Sequence, residues 1–163
     1  MAWFRRHTPD AAPLPAPFDD SAADRPEALR AAVYEVVALV NASAGRLPPV
    51  AVVAARRITD LLLELIATSD VRPLDVHAVI SVRSTASDYL PTTVRGYLAV
   101  DASLVDVARA SGRTPRAALL EQLDALEGAT LAMLTASQQQ DVDGLMTQGN
   151  FLRTKFAQSD LTV

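Results

Sequence analysis

Apolar residues recur every three or four positions along most of this chain, a spacing that predicts α-helices. Leu29, Ala32, Val33, Val36 and Val40 share one stripe, which Val37 and Leu39 widen. Just before it, Asp24-Arg25-Pro26-Glu27 reads as a helix start. Asp24 is placed to cap, Pro26 suits a first turn that needs no N–H, and Glu27 is spaced to reach back. Gly45 is a natural stop. Pro48-Pro49 opens a second helix with Val50, Ala54, Ile58, Leu61, Leu62 and Leu65 as its expected buried face. Arg56, Asp60 and Glu64 lie four apart on the opposite side as a solvated charge row. Asp70 and Pro73 mark the next boundary.

Residues 73–100 carry two patterns. Val76-His77-Ala78-Val79-Ile80-Ser81-Val82 is rich in β-branched residues, as a strand would be. Val76, Ile80, Arg83, Ser87, Leu90, Val94 and Leu98 nonetheless keep one helical phase. Helix is the expected state, because a lone strand has no neighbour to pair with. Pro91 then has to kink or split it.

Residues 101–113 read as a connector in which Ser103-Leu104-Val105-Asp106 resembles a capping box and Gly112 a stop. Thr114-Pro115 starts a long helix, with Thr as cap and Pro first. Leu119, Leu123, Leu126, Thr130, Met133 and Ser137 alternate four and three apart, flanked by Leu120 and Leu134, which is a bundle or coiled-coil seam. Gln138-Gln139-Gln140 is expected to end it. A last helix from about Asp141 to Phe156 sets Val142, Leu145, Gly149, Leu152 and Phe156 on one face, with Gly144 and Gly149 suggesting close backbone approach. The expected fold is therefore all-α: a five- or six-helix up-down bundle seamed by 50–65, 119–137 and 142–156, with a disordered N-terminal tail. Residues 1–23, with four prolines and no helical period, form the expected Pro/Ala-rich leader, and 24–163 the bundle domain.

Composition narrows the function classes. Half of the 163 residues are hydrophobic but only 5% are aromatic, and the apolar mass is Ala, Val and Leu. The chain has no cysteine, which removes disulfides, thiolate zinc sites and cysteine nucleophiles. Net charge is −4, with 15 basic residues scattered among 19 acids, so no nucleic-acid partner is expected. Fourteen of the basic residues are Arg, leaving Lys155 as the one lysine. No run of apolar residues is long enough to span a bilayer. Met1-Ala2-Trp3-Phe4-Arg5-Arg6-His7 is not followed by the apolar run of a secretory signal, and Ala2 excludes the myristoylation motif. A cytoplasmic, or membrane-peripheral, location is the expectation.

No catalytic, cofactor-binding or metal-ligating residues are expected. His7 lies in the leader. His77 is flanked by apolar residues, as an edge-of-core histidine would be, and Asp75, two residues away on a helix, points elsewhere. Asp141-Val142-Asp143-Gly144 opens like a calcium loop, but Met146 and Leu152 stand where Gly and Glu are required. There is no Gly-rich phosphate loop, paired-histidine motif or nucleophile elbow. Two candidate binding patches stand out. Around the proline break, Tyr89, Pro91, Thr92, Arg95 and Tyr97 could form a recognition patch. At the N-terminal tip, Trp3, Phe4, Arg5 and Arg6 could contact a membrane surface or a partner.

The core Tyr89-Leu90-Pro91-Thr92-Thr93, continuing to Tyr97-Leu98, resembles the XpaC-like family of bacterial bromo-chloroindolyl phosphate hydrolysis proteins, found beside toxic-anion resistance genes. The layout is also similar: a connector, a long helix through Leu119-Leu120-Glu121-Gln122-Leu123, and a terminal helix with Phe151-Leu152-Arg153-Thr154-Lys155-Phe156. The combined pattern is similar to an actinobacterial branch of that family. The resemblance covers about residues 80–156. It implies a helical cytoplasmic or membrane-peripheral protein and supplies no catalytic residues. The expected function is a non-enzymatic interaction or scaffold protein that binds a protein partner, with a homodimer through the 119–137 seam as one form. The alternatives are a membrane-peripheral stress or toxic-anion-resistance factor tethered by the N-terminal tip, and, third, a phosphohydrolase.

Overall fold

A computed structural model describes residues 20–70 and 72–159, and of 150–159 the helical backbone alone. The structure is all-α, as the apolar spacing predicts. Six α-helical segments are present among the described residues: α1 (Asp20–Ala23), α2 (Pro26–Ser43), α3 (Pro49–Ala67), α4 (Val76–Ser84), α5 (Leu90–Leu98) and α6 (Pro115–Ser159). The one turn of α1 lies inside the segment expected to carry no helix. The rest of the leader lies outside the described residues.

Contacts between side chains far apart in sequence give the helix directions. Arg30 meets Asp70 at 3.1 Å, and Arg56 donates to Asn41 Oδ1 at 2.7 Å, so α2 and α3 are antiparallel. Arg57 pairs with Glu127 at 2.9 Å and Arg72 with Asp141 at 2.9 Å, so α3 and α6 run parallel. Asp24 accepts from Arg83 at 3.0 Å, and Arg46 donates to the Leu98 carbonyl at 2.7 Å, so α4 and α5 run along α2 in its own direction. Four rods therefore ring one core in the order α2, α3, α6 and α4–α5.

Helix α3 is the centre of that core. Ala55, Ile58, Leu62, Leu65 and Ile66 are completely buried between α2 and α6. The expected face of α3 is rotated slightly: Ala51 and Val52 point inward, and Val50 is 66% exposed. Its first turns are apolar on every side, so spacing alone could not choose among them. Leu29, Val33, Val36 and Val40 are buried along α2, as expected. Asp24 does not cap α2, however. Arg25 holds the cap position without a side-chain bond, and the Asp24 carboxylate goes to Arg83 instead.

The stretch from 76 to 98 is helical, and Pro91 is accommodated without a break. A π-turn, Thr85–Tyr89, links α4 to α5, and the Leu90 N–H bonds back five residues to the Thr85 carbonyl. Proline has no N–H and its ring collides with the carbonyl four residues earlier in a regular α-helix. The wider π-turn relieves that collision and absorbs one extra residue. At about 100° per residue, that extra residue turns Leu90, Val94 and Tyr97 onto the face of Ala78, Val82 and Ala86. The unbroken helical phase expected from Val76 fails for this reason: Val76 is 70% exposed and Ile80 and Ser87 are also outside.

Helix α6 starts as expected, with Thr114 Oγ1 accepting from the Ala117 N–H at 3.1 Å. Leu119, Leu123, Thr130, Leu134 and Ser137 are buried, and Leu126 and Met133 are half-buried. This seam faces α3 and α5 of the same chain, which fill it. Thr130 returns its hydroxyl proton to the Leu126 carbonyl at 2.8 Å, which lets a polar side chain sit inside the seam. The expected stop at Gln138–Gln140 does not occur. Glutamine is a good helix former, and the helix runs on for 45 residues in all, with no separate last helix. Asp141 consequently lies inside α6 and not at the start of a further helix. A Cβ placed on Gly144 or Gly149 would meet nothing within 4 Å, so no close approach explains these glycines.

Deleting Ser87 tests the π-turn. The deletion together with Pro91→Ala converts the turn to ordinary α-helix with both buried faces still aligned, and cooperative thermal unfolding is expected to survive. Deleting Ser87 alone forces Pro91 into a regular α-turn and is expected to cost about 3 kcal/mol in denaturant unfolding. Equal stability of the two variants would contradict this account. In α3, Leu62→Ala is expected to lose about 2–5 kcal/mol, whereas Val53→Ala, at an exposed site, should change stability by at most about 0.5 kcal/mol.

Candidate functional site

The five residues singled out around Pro91 do not form one patch. Pro91 and Arg95 face α2, where with Glu35, Val36 and Leu39 they line a cleft of about 100 Å³. Thr92 and Tyr97 face the other way, onto a groove of about 260 Å³ walled by Pro115, Leu119 and Gln122 of α6. Tyr89 is exposed and lines neither. Thr92 donates to Asp88 Oδ1 at 3.1 Å, one turn back on the same helix, which is local capping around the π-turn. Tyr97 is buried, and its ring also borders a neighbouring cleft of about 430 Å³ at the Gly45–Pro49 turn. A helix sends residues one or two apart to different sides, so a cluster in sequence becomes two shallow clefts in space. Trp3, Phe4, Arg5 and Arg6 lie outside the described residues.

The titratable groups do not converge on a reacting centre. Asp75 caps α4 by accepting from the Ala78 N–H at 2.8 Å, and His77 is exposed. Among the described residues no three His, Cys, Asp or Glu side chains are placed to hold a metal ion. The polar order of the connector is structural. Asp101 accepts from the Ser103 hydroxyl and N–H, at 2.5 and 2.8 Å, and so nucleates the short 3₁₀ turn Ala102–Leu104 in place of the expected Ser103–Asp106 box. Asp106 instead takes a two-pronged bond from Arg116, at 2.6 and 2.8 Å, tying the connector to the first turn of α6. Hydrogen bonds from Ser103 hold the Asp101 carboxyl below the ordinary carboxylate range. The Arg116 guanidinium does the same for Asp106, which in turn raises Arg116.

The feature that sequence reasoning placed inside the bundle, and the structure places outside it, is the second half of α6. Arg72 grips α6 at three points: Asp141 at 2.9 Å, the Gln140 side chain at 3.0 Å and the Ser137 carbonyl at 3.5 Å. Past that grip α6 continues to Ser159; the side chains of 142–149 are exposed, and those of Leu152 and Phe156 lie outside the described residues. Val142, Leu145 and Met146 are 60%, 71% and 64% exposed. Gln138 approaches Glu64 of α3 at 3.5 Å, and Val142 and Leu145 follow Gln138 at helical spacing. At about 100° per residue from Ser137, Val142 and Met146 lie on the side of α6 turned away from the seam and Leu145 at its edge, all beyond the end of α3. This exposed stripe forms a ledge. A sequence signal for it exists: Ser137 to Val142 is a step of five, so the stripe at 142–145 is out of phase with the 119–137 seam.

No helix among the described residues is long and apolar enough to cross a membrane. Compared with family models, curated proteins and solved structures, the chain matches none.

The connector predicts a pH response of definite sign. Asp101 and Asp106 have folded-state values below their unfolded ones, so their contribution is complete above about pH 3.9 and is lost as pH falls through the lowered values. Following the carboxyl carbons by NMR, Asp106 should titrate below the ordinary range and return to it in Arg116→Gln, while Asp101 stays low. Ordinary titration of Asp106 in the wild type would remove the Arg116 link.

Proposed function

We propose that this protein is a non-enzymatic helical interaction module whose protein partner docks on the α6 ledge. The observation that carries the reading is the run of three large exposed apolar side chains, Val142, Leu145 and Met146, immediately beyond the Arg72 grip. A lone helix of this length is marginal in water, and Gly144 and Gly149 each cost it about 1 kcal/mol. An apolar partner laid along the stripe would supply the burial that the helix lacks. The fitting chemistry is an amphipathic segment laid along this outer stripe, with its apolar side on Val142 and Leu145. The resemblance around Tyr89-Leu90-Pro91-Thr92-Thr93 is in keeping with this reading, since it brings no catalytic residues with it.

Leu145→Asp is the direct test. The residue lies beyond the bundle core, so helical content and thermal unfolding should remain near wild type. A protein that co-purifies with the full-length wild-type chain should be retained at least tenfold less by Leu145→Asp. If every co-purifying protein is held equally by both, the ledge is not the docking site.

A further inference from the structure

Both ends of the described chain lie at the same end of the bundle. Because α2 is antiparallel to α3, its first turn lies beside the last turn of α3, as the Arg30–Asp70 contact at 3.1 Å shows. Arg72 and Asp141 mark that same end, where α6 departs. The chain thus enters the bundle, through α1 and the Asp24–Arg83 pair, at the end from which the ledge projects and across the bundle from its root. We infer that the N-terminal segment 1–19 is the intramolecular occupant of the ledge, laying Leu14, Phe18 and the Trp3-Phe4 pair against Val142, Leu145 and Met146.

Reach, composition and concentration support this occupant. Nineteen residues can extend about 60 Å, enough to cross the end of the bundle and reach residues 142–146. Trp3, Phe4, Leu14 and Phe18 supply large apolar groups, and each interleaved proline, Pro9, Pro13, Pro15 and Pro17, has a fixed φ and so less entropy to lose on docking. A second copy of the chain is the weaker candidate. Two facing stripes of this size bury far less than the roughly 1,200 Å² of a stable association. A tethered segment needs less contact, because its effective concentration is in about the millimolar range. The inference uses the same ledge as the proposed function and does not require that a partner exist. If a partner does bind there, the leader competes with it, and apparent affinity falls in proportion to the covered fraction.

Trp3 is the only tryptophan of the chain, so its fluorescence reports on the leader without labels. In full-length protein, acrylamide is expected to quench Trp3 several-fold less efficiently than a free indole, and Leu145→Asp should abolish the difference. In the reverse direction, the double substitution Leu14→Asp, Phe18→Asp should speed amide exchange at residues 142–149 several-fold while leaving α3 unchanged. Either coupling, unaffected by dilution, supports the intramolecular contact. A Trp3 as accessible as free indole, together with ledge amides indifferent to the leader substitutions, overturns it. So does a coupling that fades on dilution, which would assign the ledge to a second copy. Failure to find any co-purifying protein alters neither readout, so the two ideas fail separately.

Discussion

Two parallel helices of unequal length organise this molecule. Helix α3 has 19 residues and α6 has 45, and they start near the same end of the bundle. Over the length they share, Ile58, Leu62, Leu65 and Ile66 of α3 close with Leu119, Leu123 and Leu134 of α6 into one buried cluster. Removing these side chains from water is the main source of stability in such a domain. Parallel packing, however, leaves the longer helix with no neighbour once the shorter one ends. The exposed stripe of α6 lies past that point, and Arg72 marks its edge.

The other two rods adjust to the same core by different means. Helix α2 returns along α3 after a short turn, and its stripe needs no correction. The α4–α5 rod has to carry a proline, and a single extra residue in a π-turn keeps both of its halves facing inward. Polar side chains inside the seams, Thr59 and Thr130, return their hydroxyl protons to carbonyls of their own helix, at 2.7 and 2.8 Å, so their burial leaves neither hydroxyl unpaired.

Where sequence and structure diverge, the causes are specific. The Val76-Ile80-Arg83-Ser87 stripe fails because helical phase was carried through Pro91 without the π-turn. The stop at Gln138–Gln140 fails because three polar residues do not end a helix that keeps its hydrogen bonds. Tyr89, Pro91, Thr92, Arg95 and Tyr97 separate because their spacing spreads them around a rod with neighbours on both sides. Asp24 and Asp106 each exchange an expected capping role for an arginine partner brought close by folding.

By itself, the sequence determined the all-α class, the start of α6 at Thr114-Pro115, the seam from Leu119 to Ser137 and the stripe of α2. Each of these is a local matter of apolar spacing and of which residues can open a turn. Only the tertiary structure decided that α3 and α6 run parallel, that the seam is filled within one chain and that Val142, Leu145 and Met146 are left bare. Spacing shows that a helix has an apolar side; whether that side is covered depends on how far its neighbour extends, and a neighbour's reach is set by the packing of the whole bundle.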